Sequence, residues 1–487
     1  TMKVAFLASE VIPYAKTGGL ADVAGALPKF LVRLGAEVRV FMPLYREVRK
    51  KNLPLEPVLE NASLRMGGRA LPYAVFAHRA EGVMTLFIDR PEFFDRDHLY
   101  GTAAGDDPDN AERFAFFSLA SLEVMRSIGF RPDIIHGHDW QAAPAFAYLK
   151  HVYADDPFFR GTRSLFTIHN LAYQGLFEKD VLAAIGLPDS LFAMNELEFY
   201  GKVNALKAGI LYSTAVTTVS PRYSREIQTP EFGCGLDGLL RSRAGVLHGI
   251  LNGVDYGDWD PTTDRLIPHR FGPEDLRGKK ATREDLAGEF GLTAPADLPI
   301  AGMVTRLAGQ KGLDIVCEAL DELLGLGLTL VILGTGEQKI QDFLLAARKK
   351  HPARLGLKIA FDERIAHTIY AGSDLFLIPS RYEPCGLTQM YAMKYGTVPV
   401  VRATGGLDDS VEEFDPAAGT GNGFKFAEAA PGPLLEATAR AIRAFGRPRD
   451  WSALVRNAMA ADFSWERSAA TYLALYEMLV ASPATAA

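Results

Sequence analysis

The sequence predicts an α/β protein made of two doubly wound, parallel-sheet halves, and three observations carry that reading. Short apolar runs alternate with amphipathic helical patterns. The alternation stops near the middle of the chain and then restarts. Polar and glycine residues gather just after the apolar runs and rarely inside them. The 487 residues fit two to four domains at roughly 100–200 residues each, and a 48% hydrophobic composition supplies large cores.

The first run, Val4–Ala8, reads as a buried strand. Lys16-Thr17-Gly18-Gly19 follows, and Leu20, Val23, Ala24, Leu27 and Leu31 then line one face of a helix. A strand, a lysine, two glycines and a helix start suit an anion. Glycine lets the backbone approach a ligand, and first-turn N–H groups attract negative charge. The same stretch is equally an ordinary strand-to-helix turn with a surface lysine. Strand-like runs recur at Glu37–Met42, Met84–Ile88, Asp133–His136, Ser164–Ile168, Ala215–Val219 and Val246–Ile250, with helical patterns such as Ala111–Ile128 and Ala142–Val152. Phe93 to Asn110, rich in Asp, Gly and Pro, reads as a long loop.

Leu251-Asn252-Gly253-Val254-Asp255 opens a polar, proline-bearing stretch that runs to about Asp297 and marks the domain boundary. Strands then follow at Ile300–Val304, Leu328–Leu333, Leu357–Phe361, Leu375–Pro379 and Val398–Val401. Helices fall at Leu313–Leu323, Gln338–Lys349, Ile365–Ala371 and Leu387–Tyr395. Trp465–Val480 is an amphipathic helix, and Ser482–Ala487 is expected to fray. The domains are therefore expected at 1–251 and 252–461, with the 462–487 helix packing back on the first.

Lys+Arg 52 against Asp+Glu 59 gives a net charge of −7, which argues against a nucleic-acid or anionic-membrane partner. Cys234, Cys317 and Cys385 are far apart, show no metal spacing or disulfide framework, and fit a reducing cytosol. The chain opens on a strand with no charged-then-apolar leader, and no apolar run is long enough to span a bilayer. A soluble cytoplasmic protein is expected.

Chemistry should sit at the strand ends. His136-Gly137-His138-Asp139-Trp140 follows Ile135, and His169-Asn170 follows Ile168. Thr305-Arg306 follows Val304, with Gln310-Lys311-Gly312 shortly after. Pro379-Ser380-Arg381-Tyr382-Glu383-Pro384-Cys385-Gly386 follows Ile378, and Thr404-Gly405-Gly406 follows Val401. A single histidine after a strand is commonly structural, and Glu383 alone is accounted for as a first-turn carboxylate. Arg306 and Lys311 bracket a turn and suit phosphate. Taken jointly, the two halves point to a diphosphate-bearing ligand held across a cleft.

These segments, together with Lys16-Thr17-Gly18-Gly19-Leu20, Leu251-Asn252-Gly253 and Leu387, resemble bacterial glycogen synthase and plant starch synthase from Lys3 to about Leu479. The resemblance implies the GT-B fold, with two Rossmann-like domains facing across a cleft, an acceptor side first and a nucleotide-sugar side second. It implies retaining transfer of glucose from ADP-glucose to the non-reducing 4-OH of an α-1,4-glucan, with no cofactor. Glu383, His169, Arg306 and Lys311 are then the catalytic residues. Lys16, Gly18, Gly19, Asp139, Asn170, Asn252, Cys385, Gly386, Leu387, Thr388, Thr404, Gly405 and Gly406 are then the substrate contacts. Retention in glycosidases uses a carboxylate nucleophile. The resemblance places Glu383 nearer the sugar hydroxyls, which favours a front-face route in which the diphosphate oxygen deprotonates the acceptor.

Many retaining relatives carry a second Glu where this chain has Tyr391, so the ribose contact is left open. The rival readings are a UDP-glucose-using transferase of the same fold, a non-catalytic α-glucan-binding protein, a pyridoxal-phosphate phosphorylase and a dinucleotide enzyme. The last lacks Gly-x-Gly-x-x-Gly in the first turn. Asp95-Arg96-Asp97 and Asp106-Asp107-Pro108-Asp109 have a spacing that holds a divalent ion in another transferase class. In this chain they are expected to be solvated loop residues, and no metal is expected.

Overall fold

A computed structural model describes residues 1–482; the rest of the tail expected to fray, residues 483–487, lies outside the described residues. The chain divides into two compact units. The first comprises Thr1–Val219, Ser224–Ile250 and the terminal helix Trp465–Ala481, and the second comprises Ser220–Tyr223 and Leu251–Ser464. The short segment Ser220–Tyr223, expected in the first domain, groups with the second. Ser220 Oγ donates to Pro384 O at 2.6 Å and Arg222 N donates to Asp409 Oδ2 at 2.6 Å.

The first unit is built on nine strands: β1 (Lys3–Leu7), β2 (Glu37–Pro43), β3 (Glu56–Met66), β4 (Arg69–Ala80), β5 (Val83–Asp89), β6 (Ile134–His138), β7 (Arg163–Ile168), β8 (Ala215–Thr218) and β9 (Leu247–Gly249). Their order across the sheet is β9-β8-β7-β6-β1-β2-β5-β4-β3. Seven run parallel, and β4 pairs antiparallel with both β5 and β3. The β3–β4 hairpin is absent from the sequence reading, although Gly67-Gly68, both with positive φ (57° and 77°), joins two alternating runs. The expected helix Ala142–Val152 is two helices, Asp139–Ala142 and Pro144–His151, broken where proline removes an amide donor.

The expected loop Phe93–Asn110 is more ordered than its composition implied. It carries the end of a helix, Pro91–Phe94, and a small hairpin, Gly101–Thr102 with Gly105–Asp106. Its acidic clusters are not simply solvated. Arg113, wholly buried on helix Asn110–Ser127, donates to Phe93 O (2.6 Å), Asn110 Oδ1 (2.7 Å) and Asp107 Oδ2 (3.2 Å). Asp107 also meets Arg96 and His98, Asp109 meets Arg96, and Asp95 and Asp97 both meet Arg46. A buried guanidinium needs counter-charge, and this loop supplies it.

The terminal helix belongs to the same core. Tyr476 OH lies 2.7 Å from His136 Nδ1, and Arg163 Nε donates to Leu479 O at 3.1 Å.

The second unit holds a six-stranded, all-parallel sheet: β10 (Ile300–Val304), β11 (Thr329–Leu333), β12 (Leu355–Lys358), β13 (Leu375–Ile378), β14 (Val398–Arg402) and β15 (Phe424–Phe426), ordered β12-β11-β10-β13-β14-β15. Strand β12 sits two residues earlier than expected, and Phe361, taken as its apolar end, is 96% exposed. Helices Pro431–Phe445 and Pro448–Ala460 cover the sheet beyond the last expected strand. The polar stretch read as a boundary contains helix Arg277–Phe290. From it Lys279 reaches inward, its Nζ within 2.9 Å of Ala371 O, Ser373 O, Tyr395 O and Thr397 Oγ1, which share its three N–H groups. Those carbonyls end two helices, where a cation is favoured. Burial still pushes Lys279 down to about 7. No described helix is long and apolar enough to cross a membrane.

Candidate active site

In the first unit β1, β6 and β7 lie side by side, so the residues after their carboxyl ends share one edge. β1 leads to Glu10. This buried carboxylate accepts from Thr17 N (2.6 Å), Thr17 Oγ1 (2.6 Å), Gly18 N (3.0 Å) and Tyr100 OH (2.7 Å). The glycine turn is thus pinned internally by a negative charge. Lys16 is exposed and holds both oxygens of Asp22 at 2.8 and 2.9 Å. In this arrangement the Gly18 amide donates to Glu10, and the exposed Lys16 ammonium pairs with Asp22. Gly19 opens the helix, is exposed, and a Cβ there would meet nothing within 4 Å. Glu10 was missed although it stands near a strand end, the place where chemistry was sought.

β6 ends at His138, and Asp139 follows with φ of +57°, unusual for a residue with a side chain. That turn aims the carboxylate across to the end of β7, where Oδ1 accepts from His169 N at 2.8 Å and the Asn170 amide also bonds it. Burial pushes Asp139 up to about 7, the largest influence on it, while the two amides pull the other way. His169 is 8% exposed, and its Nε2 lies 2.9 Å from His138 Nδ1. Burial lowers His169 to about 3, so its ring is neutral at ordinary pH. Asp139, His169 and Asn170 are therefore brought together.

In the second unit Arg306 follows β10. It is exposed, and its Nη2 donates to Gln310 Oε1 at 3.0 Å. The next strand end braces this turn: Leu307 N donates to Thr335 O at 2.8 Å and Gly309 N to Glu337 Oε1 at 2.9 Å. Lys311 closes the short turn Gly309–Lys311, and its Nζ lies 2.9 and 2.8 Å from the two oxygens of Glu383. Ser380 Oγ donates to Glu383 Oε2 at 2.9 Å. Lys311 and Glu383, expected to serve leaving group and sugar separately, form one unit, while the Arg306 side chain bonds Gln310.

The Thr404-Gly405-Gly406 turn sits against the Glu383 segment. A Cβ on Gly405 would fall 1.8 Å from Glu383 O, and one on Gly406 would fall 2.0 Å from Cys385 O. The Gly406 amide donates to Glu383 O and Pro384 O, both at 3.1 Å. The close backbone approach leaves no room for a side chain at either glycine. Gly386 has φ of +72°, and Leu387 and Thr388 begin helix Thr388–Lys394 half-buried.

Cys385 is buried with its thiol pushed up to about 12, beside the Asn252 amide. The buried Oδ1 of Asn252 has no hydrogen-bond partner among the described residues. Tyr391 stacks on Trp259 (3.7 Å between ring centres, 8° between planes), and Trp259 also stacks on His367 (4.0 Å, 16°). An aromatic stack therefore occupies the position where many relatives have a second Glu. Among the described residues no group of three or more His, Cys, Asp or Glu is arranged to hold a metal ion.

Comparison with known proteins bears on what these two sets of residues do. The profile of a family described as starch synthase catalytic domain matches residues 3–242, and that of glycosyl transferases group 1 matches residues 289–452. A glycogen synthase of Anaeromyxobacter dehalogenans is 50% identical over 98% of this chain and 100% of its own length. One from Syntrophotalea carbinolica is 47% identical over 98% of this chain and 99% of its own. Among solved structures, the catalytic domain of starch synthase IV from Arabidopsis thaliana, bound to ADP and acarbose, superposes with a TM-score of 0.88. It is 35% identical and covers 99% of this chain and 100% of its own. A sucrose-phosphate synthase from Thermosynechococcus elongatus, TM-score 0.62 at 17% identity over 99% of this chain and 100% of its own, shares the fold.

Proposed function

The chain is a glycosyltransferase of the glycogen synthase and starch synthase family, and we propose that it elongates glycogen by moving glucose from ADP-glucose to the non-reducing 4-OH of an α-1,4-glucan with retention of configuration. The observation that carries the mechanistic part is the Lys311–Glu383 pair. A carboxylate whose two oxygens are held by an ammonium, with a serine hydroxyl on one of them, is a poor nucleophile. This supports the front-face route. The bond from sugar C1 to phosphate breaks, the acceptor O4 bonds to C1 on the same face, and the acceptor proton passes to the departing diphosphate oxygen.

Arg306 and Lys311 stabilise the charge that develops on that leaving group. Glu383 sets the position of the Lys311 ammonium and bonds the donor sugar. Asp139, His169 and Asn170 bond hydroxyls, and the Gly19 edge of the first turn contacts the donor. ADP as the nucleotide is supported by the ligand in the starch synthase IV structure. A cytoplasmic setting is part of the same proposal, supported by cysteines that form no disulfide. Glucose transfer to glycogen, assayed with ADP-glucose and UDP-glucose side by side, tests the reading. Transfer from ADP-glucose is expected to dominate, and preference for UDP-glucose would replace the donor assignment. Binding of glucan with no transfer from either donor would leave only a glucan-binding protein.

A further inference from the structure

His138 is wholly buried, and its surroundings leave it few choices. Its Nδ1 lies 2.9 Å from His169 Nε2, so one ring donates and the other accepts. Its Nε2 has no partner among the described residues. The neighbouring rings do not supply one. Phe6 stands 4.2 Å away and His136 4.1 Å away, each tilted by 35°. At that tilt a ring-plane N–H points past the neighbouring face instead of into it. His136 is itself committed, through Nδ1 to Tyr476 OH at 2.7 Å and through Nε2 to Thr167 Oγ1 at 2.6 Å.

A neutral imidazole has one N–H and one bare nitrogen. If His138 carried its hydrogen on Nε2, that buried N–H would be stranded, which folded proteins avoid almost completely. If it carries the hydrogen on Nδ1, the N–H goes to His169 and only a lone pair is left unpaired. His169 must then accept at Nε2 and carry its own hydrogen on Nδ1, the ring nitrogen without a hydrogen-bond partner among the described residues. Burial holds both rings neutral, consistent with this assignment.

We propose that His138 is a positioning residue that fixes the tautomer of His169, so that His169 presents Nδ1–H as a hydrogen-bond donor to substrate. The catalytic half of this statement rests on the function proposed above; the tautomer itself does not. The donor would face an oxygen of the sugar or diphosphate. His169 then acts throughout as a neutral donor, with no proton exchanged during turnover. The neighbouring Asp139 carboxylate reaches the His169 backbone amide and not its ring, so among the described residues the ring's hydrogen-bond partner is His138.

The full chain labelled with ¹⁵N-histidine provides the direct test, with the His169 signals identified by their loss in His169→Gln. Two-bond proton–nitrogen correlation is expected to show hydrogen on Nδ1 and a bare Nε2; hydrogen on Nε2 would overturn the proposal. Kinetics give the second test. His138→Leu cannot donate and should lower kcat about ten- to a hundred-fold with little change in KM, the usual cost of losing an orienting partner. His138→Asn keeps an N–H at the δ position and should restore most of that loss. If Asn is as slow as Leu while both melt like the parent, the positioning role is wrong. Unimpaired turnover in His169→Gln would instead overturn the catalytic assignment of His169, leaving the nitrogen spectra to decide the tautomer.

Discussion

Lys311 and Glu383 form a closed ion pair: one ammonium lies 2.9 and 2.8 Å from the two carboxylate oxygens, with the side chains 19% and 12% exposed. Removing either partner strands the other in a place water barely reaches. Lys311→Ala and Glu383→Gln should each lower kcat by ~10²–10³. The double variant should be little worse than the poorer single one, because the two act as one unit. Steady-state kinetics on the three variants check this, and losses that simply multiply would separate the roles.

The buried histidines should make the first unit sensitive to acid. Burial keeps His136 and His138 well below their ordinary 6.5, and His169 at about 3. Below pH 6.5 the unfolded chain takes up protons that the folded chain refuses. Stability from these groups is present above 6.5 and is lost as pH falls. Each contributes a slope of about 1.4 kcal/mol per pH unit. Urea midpoints should drop steeply between pH 6.5 and 5, and His138→Asn should reduce the slope by roughly a third of the histidine contribution. A flat profile would mean the rings titrate normally in the fold.

Asp139 works in the opposite sense. Its carboxyl is raised from 3.8 to about 7, so the folded state keeps a proton that the unfolded state releases. Its contribution is fully present below 3.8 and is lost as pH rises through about 7. The melting temperature of the parent relative to Asp139→Asn should therefore fall from pH 5 to pH 8. In the parent, kcat/KM should show a titration near 7 that Asp139→Asn removes. Parallel melting curves at all pH values would contradict the shift.

The loop acids should matter for folding and not for a metal. Asp107→Asn leaves Arg113 short of its counter-charge and should cost about 3 kcal/mol of stability, read by urea unfolding. Asp95→Asn with Asp97→Asn, whose partner Arg46 is solvent-accessible, should unfold at nearly the same urea concentration as the parent and stay active in excess EDTA. Activity that is lost in EDTA and regained with a divalent ion would reverse this reading.

Much of the parallel architecture was legible because buried strands such as Ile300–Val304 are continuous apolar runs with clear turn residues at each end. The β3–β4 hairpin was not, because it lies at the sheet edge, half-exposed, with Pro57 and Pro72 interrupting its pattern. The candidate residues could be named from motifs, but their pairings could not. Nothing in the spacing says that Lys311 closes on Glu383 72 positions later, or that Glu10 fills the glycine turn. Nor does the motif show that Gly405 and Gly406 pack tightly on the backbone carbonyls of Glu383 and Cys385. Motif order reports which residues are needed; long-range contacts decide what each one touches.

The return of the last helix to the first unit has a consequence for how the polypeptide is made. His136 waits for Tyr476, and Arg163 for Leu479, more than 300 residues later. The second unit lies almost entirely between them in sequence. On the ribosome the first unit emerges early but stays unsealed, and the second can finish folding while its predecessor is still open. A chain stalled or nicked before Trp465 would release a nascent sheet lacking one of its covering helices.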